Sequence, residues 1–332
     1  MRSATLTIPL DRKARRLLRY RWHGLVFTMS LIVTFITVFF AVMFAGLLAF
    51  VPELEEVFDG ATIAEFHRFI SLVLIFPFGL GFLRLLDSAK SKSRGPTVNH
   101  NQFPAVLEIV QDLSKKAGLK TVPTVVVVSG LTGLSNSVQG SGESVIMVHS
   151  DLLDSPRPNG DLGALRFAIA REIGNLSANH QKVWYEIATT VTQSVPYLQN
   201  LLKWTETYTA DRYGAALAPE YAGDYFAVAG VSKDCWLEFY IAEVLRRVGK
   251  EKLINLLAAW TNPVPPLTWR MLALAELGVF RDEIVKQPEI KTTDLKRHYG
   301  RLFIKPNRVS ETHLTELVTE SEMQDYLERI AA

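Results

Sequence analysis

Apolar and polar positions divide the chain into a hydrophobic front and a mixed remainder. From Gly24 to Val51 (GLVFTMSLIVTFITVFFAVMFAGLLAFV) no charged residue interrupts the apolar side chains. A bilayer core needs about 20 apolar residues in a helix. The run therefore predicts a span that tilts or extends into the interface. It is too long for a cleavable signal peptide, and no small-x-small site closes it. A second run, Phe69 to Leu83 (FISLVLIFPFGLGFL), contains Pro77. It predicts a kinked span from Phe66 to Leu86, with Arg84 reaching back to the interface, or alternatively a re-entrant segment.

The flanks orient this hairpin. Arg12, Lys13, Arg15, Arg16, Arg19 and Arg21 precede the first run, and Arg84, Lys90, Lys92 and Arg94 follow the second. Between the runs lie Glu53, Glu55, Glu56, Asp59 and Glu65, with Arg68 at the far edge. Positive residues stay on the cytoplasmic side, which predicts an integral membrane protein of two spans, its N-terminus and its main domain cytoplasmic. The basic N-terminus reads as a topology signal and a contact with membrane lipids rather than a nucleic-acid arm. A formal net charge of +2 gives no bulk attraction for nucleic acid either.

Beyond the hairpin the periodicity changes. Ser88 to Gln102 is polar, with Gly95 and Pro96, and predicts a linker. Val106, Leu107, Ile109, Val110 and Leu113 predict an amphipathic helix over 103–117, with a basic last turn and Gly118 as its stop. The β-branched runs Pro123–Ser129 and Ser144–His149 predict buried strands, paired antiparallel through a turn at Gly140–Gly142. From Asp161 a helix places Leu165, Ile169, Ile173 and Leu176 on one face. Its other face holds Ala164, Ala168, Arg171, Asn175 and Ala178, small enough for a second element to approach closely, with a charged Arg171 in the middle. Further helices are expected at 184–218 (broken at Pro196), 222–248, 250–260 and 266–285. The C-terminal stretch carries a strand-like RLFIK piece and a capping-box spacing at Thr319 and Glu322, which predicts a surface helix, or alternatively a docking tail.

The domain reading is a basic N-terminus (1–23), a transmembrane hairpin (24–86), a linker (87–102), a main domain (103–290) and a C-terminal extension (291–332). The fold class expected is α+β, mostly helical. Cys235 is the one cysteine, which excludes an intrachain disulfide framework and a Cys-based zinc ribbon. Between Asp234 and Trp236 it reads as a packed small residue rather than a nucleophile. Tyr20 and Trp22 read as an interfacial aromatic belt. No Gly-rich phosphate loop and no G-x-S-x-G elbow is present.

The order of elements, with Ala210-Asp211 on a later helix, resembles the membrane zinc metallopeptidases of the HtpX and CAAX-prenyl-endopeptidase type, over about residues 100–275. That resemblance implies a zincin-like domain with a small antiparallel sheet, and a zinc ion held by H-E-x-x-H. It implies a ligand Glu in E-[FY]-x-A-D and a late H-P-P-x-x-x-R element. In this sequence the matching positions read Arg171-Glu172-Ile173-Gly174-Asn175, then Thr207-Tyr208-Thr209-Ala210-Asp211, then Val264-Pro265-Pro266-Leu267-Thr268-Trp269-Arg270. Arg171 and Asn175 stand at the two His positions, Thr207 at the ligand Glu and Val264 at the late His. Glu172, Asp211 and Arg270 are kept. Asn136 falls where the family has an Asn beside its cleft strand, and Ser144, Val145, Ile146, Met147, Val148 and His149 match that strand, which grips an extended chain by β-augmentation.

Arginine is a permanent cation and never a zinc ligand. Zinc is expected for the family, yet its ligands are absent, so no metal and no cofactor is expected here. His180 lies about 180° round the helix from Arg171, at about 100° per residue, and Glu206 is offset from Thr207; His149, closing a strand near the cleft, is the one candidate recruit. Arg171 is expected to take the place of the metal's charge and to pair with Asp211, Glu172 or both; the alternative is that it points to solvent. Two function classes follow: a non-catalytic pseudo-peptidase that binds another protein as a regulatory or scaffold subunit, or an active metalloendopeptidase with an atypical metal site.

Overall fold

The computed structural model describes residues 12–50, 60–130, 133–139, 143–180, 182–248, 259–275 and 277–280. The acidic residues 53–59, the Gly140–Gly142 turn, most of the helix expected at 250–260 and the C-terminal extension lie outside these residues. The described chain is mostly helical, with one small sheet.

Two helices open the chain. A short α1 (Arg12–Leu18) leads into α2 (Arg21–Phe50), 30 residues long and so about 45 Å. Its stretch Arg21–Phe44 is long and apolar enough to cross a membrane. Phe35, Phe40 and Met29 are more than half exposed on it, a large apolar surface that water does not favour. The second apolar run belongs to α3 (Gly60–Lys92), one continuous helix through Pro77. The last turns of α3 bury Ser88 and Ser91, and α3 lies against the sheet.

The described part of the basic N-terminus, from Arg12 onward, is docked rather than free. Arg15 donates to the carbonyl of Gly118, and its own carbonyl accepts from the Tyr213 hydroxyl. Tyr20 is buried against Tyr208 and donates its backbone N–H to Thr209, so it serves the core and not an interfacial belt.

Helix α4 (Pro104–Lys116) starts on a proline at its first turn, where no backbone N–H is needed. Three strands follow: β1 (Thr124–Val128), β2 (Ser135–Gln139) and β3 (Ser144–His149). Their spatial order is β1-β3-β2, with β1 parallel and β2 antiparallel to β3. This corrects the expected antiparallel pair of two strands. The connection between them houses a third strand, SNSVQ, too polar to show as a β-branched run. It forms the antiparallel partner, and β1 returns parallel on the other side. Val125, Val127, Ile146 and Val148 face the main core, while Val126, Val128, Val145 and Met147 form a second cluster on the opposite face. Burial on both faces explains the unbroken valine run.

After the sheet come α5 (Gly163–Ser177), α6 (Val183–Ser194), α7 (Leu198–Leu217), α8 (Ala222–Val231), α9 (Ile241–Val248) and α10 (Leu267–Ala275). The long helix expected at 184–218 is broken at Pro196 into α6 and α7. That expected at 222–248 is broken near Ser232, whose φ of 80° no helix accommodates. α5 is buried nearly all round, with the sheet, α4, α7 and α8 against it.

Candidate functional site

The site forms where α5 crosses α7. Glycine on each helix permits the approach. A Cβ on Gly174 would lie 2.3 Å from the Tyr213 Cβ, and one on Gly214 would lie 2.8 Å from the Arg171 Cγ. The small-residue face read from the sequence is therefore the contact face, and it carries Arg171 inward.

Arg171 is 7% exposed, so it does not point to solvent. Its Nε donates to Asp211 Oδ1 at 2.5 Å, and its Nη1 donates to the Tyr225 hydroxyl at 2.5 Å. From α10, Arg270 grips the same carboxylate with two bonds, Nε to Oδ2 and Nη2 to Oδ1, both 2.8 Å. The Arg171 guanidinium also lies over the Tyr225 ring, and that of Arg270 over Phe226. Four helices thus meet on one buried carboxylate. Burial alone pushes the Asp211 carboxyl up, but the charges of Arg270 and Arg171 outweigh it and hold the group below its ordinary value. Burial opposes the charge on Arg270, and Asp211 more than restores it.

Glu172 does not join this cluster. Buried beside it in sequence, it accepts from the Ser135 hydroxyl at 2.8 Å and from the Asn175 amide at 3.1 Å. It ties β2 to α5. Of the two partners expected for Arg171, Asp211 is the one it takes.

The other positions fall apart as a ligand set. Thr207 is half-buried and donates to the carbonyl of Lys203 on its own helix. Val264 is exposed in the loop before α10. Asn136 is exposed on β2. His149 caps the turn after β3, its Nδ1 accepting from the Asp151 N–H at 3.2 Å. The resemblance makes Ser144 to His149 a strand open to a partner chain. They form instead the central strand, with both edges already bonded, so a further strand cannot add there. Among the described strands, β1 is flanked by residues 96–98 through Val98 N to Val125 O and Val127 N to Pro96 O. The outer edge of β2 pairs with no described strand. Cys235 is exposed, which corrects its reading as a packed residue.

The residues that the resemblance sets at zinc-ligand positions, Arg171, Asn175 and Thr207, do not fit a zinc ion. A guanidinium, an amide and a self-bonded threonine supply no set of soft or anionic donors, and the valine at the late His position is exposed and supplies no donor. Among the described residues no three His, Cys, Asp or Glu side chains gather to hold a metal.

Two participants carried no sequence signal. Tyr225 lies within an apolar helical stretch, and Ser135 within the unremarked β2. His180, which the sequence turns away from Arg171, is not a surface residue. It is buried against His23 of α2, ring centroids 4.4 Å apart, and neither of its nitrogens has a hydrogen-bond partner among the described residues. Burial, then the charges of His23, Arg19 and Lys203, hold its pKa well below the ordinary histidine value. The unfolded chain therefore takes up this proton first as pH falls through about 6.5, and stability declines from there. The variant His180→Gln is expected to lose less melting temperature than wild type between about pH 7.5 and about pH 5.5. Parallel losses would remove His180 from the account.

Comparison of the chain with family models, curated proteins and solved structures finds no match.

Proposed function

We propose that the protein is a membrane-anchored, non-catalytic binding module, built on the plan of the membrane zinc peptidases and serving as a regulatory or scaffold subunit. In this reading both apolar helices, α2 and α3, span the bilayer, and the domain that follows sits on the cytoplasmic face. The observation that carries it is the clamp of Arg171 and Arg270 on Asp211. A fixed positive charge occupies the ground a divalent ion would need, and it is held there by a carboxylate and a tyrosine. A cation in that place repels zinc, and Glu172 then has no metal-activated water to deprotonate.

Partner binding moves from β3 to β2 in this reading. The outer edge of β2, with Asn136 exposed upon it, is the described strand edge suited to an extended segment of another protein.

Metal analysis of the full chain, purified from membranes without chelator, tests the proposal. The expected result is substoichiometric zinc that dialysis removes. Tightly held zinc at one ion per chain, with peptide-bond cleavage that a chelator abolishes, would establish the enzyme instead.

A further inference from the structure

A second feature lies away from the Asp211 cluster, where α1 turns into α2. There a cleft of about 380 Å³ opens between the start of α2 and the residues Ala178, Trp184 and Tyr185. Arg16, Arg19 and Arg21 line it, and no acidic residue does. All three arginines are exposed. Among the described residues none of them pairs with a carboxylate: Arg19 donates to the carbonyl of Ala178, and Arg21 lies over the Trp22 ring. Three exposed guanidinium groups around one cavity make a positive patch that attracts an anion. The first backbone N–H groups of α2 add to the positive field at the same end.

The cleft changes character along its length. Beyond the arginines its wall is Gly24, Phe27 and Trp184, with the Phe27 and Trp184 rings edge to face at 5.6 Å. Phe27 sits within the stretch Arg21–Phe44, and Trp184 is half exposed beside it. A free phosphate would use only the first part. A phosphodiester with acyl chains would use both, its charge among the arginines and its glycerol and chains along the aromatic wall.

We infer that this cleft binds the headgroup phosphate of an anionic phospholipid, with Arg16, Arg19 and Arg21 as its cationic wall and Trp184 and Phe27 against the start of the acyl chains. The inference rests on α2 spanning the membrane and not on the absence of peptidase activity.

The test uses the full chain in neutral detergent, with melting temperature followed as dioctanoyl phosphatidylglycerol, dioctanoyl phosphatidylcholine or inorganic phosphate is added. Phosphatidylglycerol is expected to raise the melting temperature saturably, and the other two to leave it unchanged. Arg16→Gln and Arg21→Gln are each expected to weaken the phosphatidylglycerol response by about fivefold. Arg16→Lys and Arg21→Lys preserve it, and Arg94→Gln, an exposed arginine outside the cleft, leaves it intact. If the glutamine variants fail to fold, Trp184→Ala takes their place: it removes an exposed ring and is expected to weaken the lipid response. An equal response to phosphatidylcholine or to phosphate would overturn the assignment. So would variants at Arg16, Arg21 and Trp184 that bind as wild type does. Alkaline carbonate extraction of the membranes reports separately on the span, so loss of the anchor reading and loss of the lipid site are told apart.

Discussion

Replacing Asp211 with Ala is expected to destabilise the fold by about 3–5 kcal/mol, because it leaves two guanidinium groups buried without their counter-ion. Asp211 is 1% exposed and is the shared acceptor for Arg171 and Arg270. Arg171→Ala is expected to cost less, since Arg270 still neutralises the carboxylate through two bonds. Replacing all three residues together with apolar side chains of similar volume is expected to recover most of the loss, because the pair contributes little over a well-packed apolar cluster. Denaturant unfolding of the purified chain checks the order. If Asp211→Ala unfolds at the wild-type midpoint, the cluster is not the structural centre described.

The pH dependence has a definite sign. The folded carboxyl of Asp211 lies below its unfolded value. Its contribution is therefore present in full above about pH 4 and is lost only as pH falls through the depressed folded value. The gap between wild type and Asp211→Asn is expected to stay constant from neutral pH to about pH 5 and to close in stronger acid. A gap that closes already near neutral pH would contradict the pairing.

The second large effect is expected from Gly174→Ala, at about 1–3 kcal/mol or more. The new methyl would lie 2.3 Å from the Tyr213 Cβ and 2.7 Å from its Cγ. Those atoms sit at the root of a fully buried ring, so no flexible tip can move aside. Relief requires α5 and α7 to separate, which also lengthens the reach from Arg171 to Asp211. The measurement is the melting temperature, with Ala170→Gly as a comparison that opens space on the same helix instead of filling it. A Gly174→Ala variant as stable as wild type would mean the two helices are not held at this distance.

Local pattern carried much of this fold. The apolar run of α2, the amphipathic α4, the valine strand β1, the strand β3 and the face of α5 were legible because each buries a regular stripe or an unbroken run. The approach of α5 to its neighbour was legible in Ala164, Ala168 and the charge of Arg171 among them. The strand β2 was not: Ser135, Asn136 and Gln139 give it no apolar alternation, and its place in the sheet comes from pairing with β3. The break after Val231 was also missed: no proline marks it, and Gly230 lies inside the helix rather than at its stop, so the turn at Ser232 comes from packing.

The sequence by itself determined that a cation stands at Arg171, that no imidazole stands near it on that helix, and that a long uncharged run, Gly24 to Val51, precedes the domain. These follow from residue identity and spacing, which folding cannot alter. Only the tertiary structure decided that Arg171 turns to Asp211 and leaves Glu172 to Ser135 and Asn175, that Arg270 closes the cluster from α10, and that β3 lies at the centre of its sheet. Those outcomes depend on which distant side chains arrive at the same buried point. There, an ion must find its counter-ion because water is no longer present to solvate it.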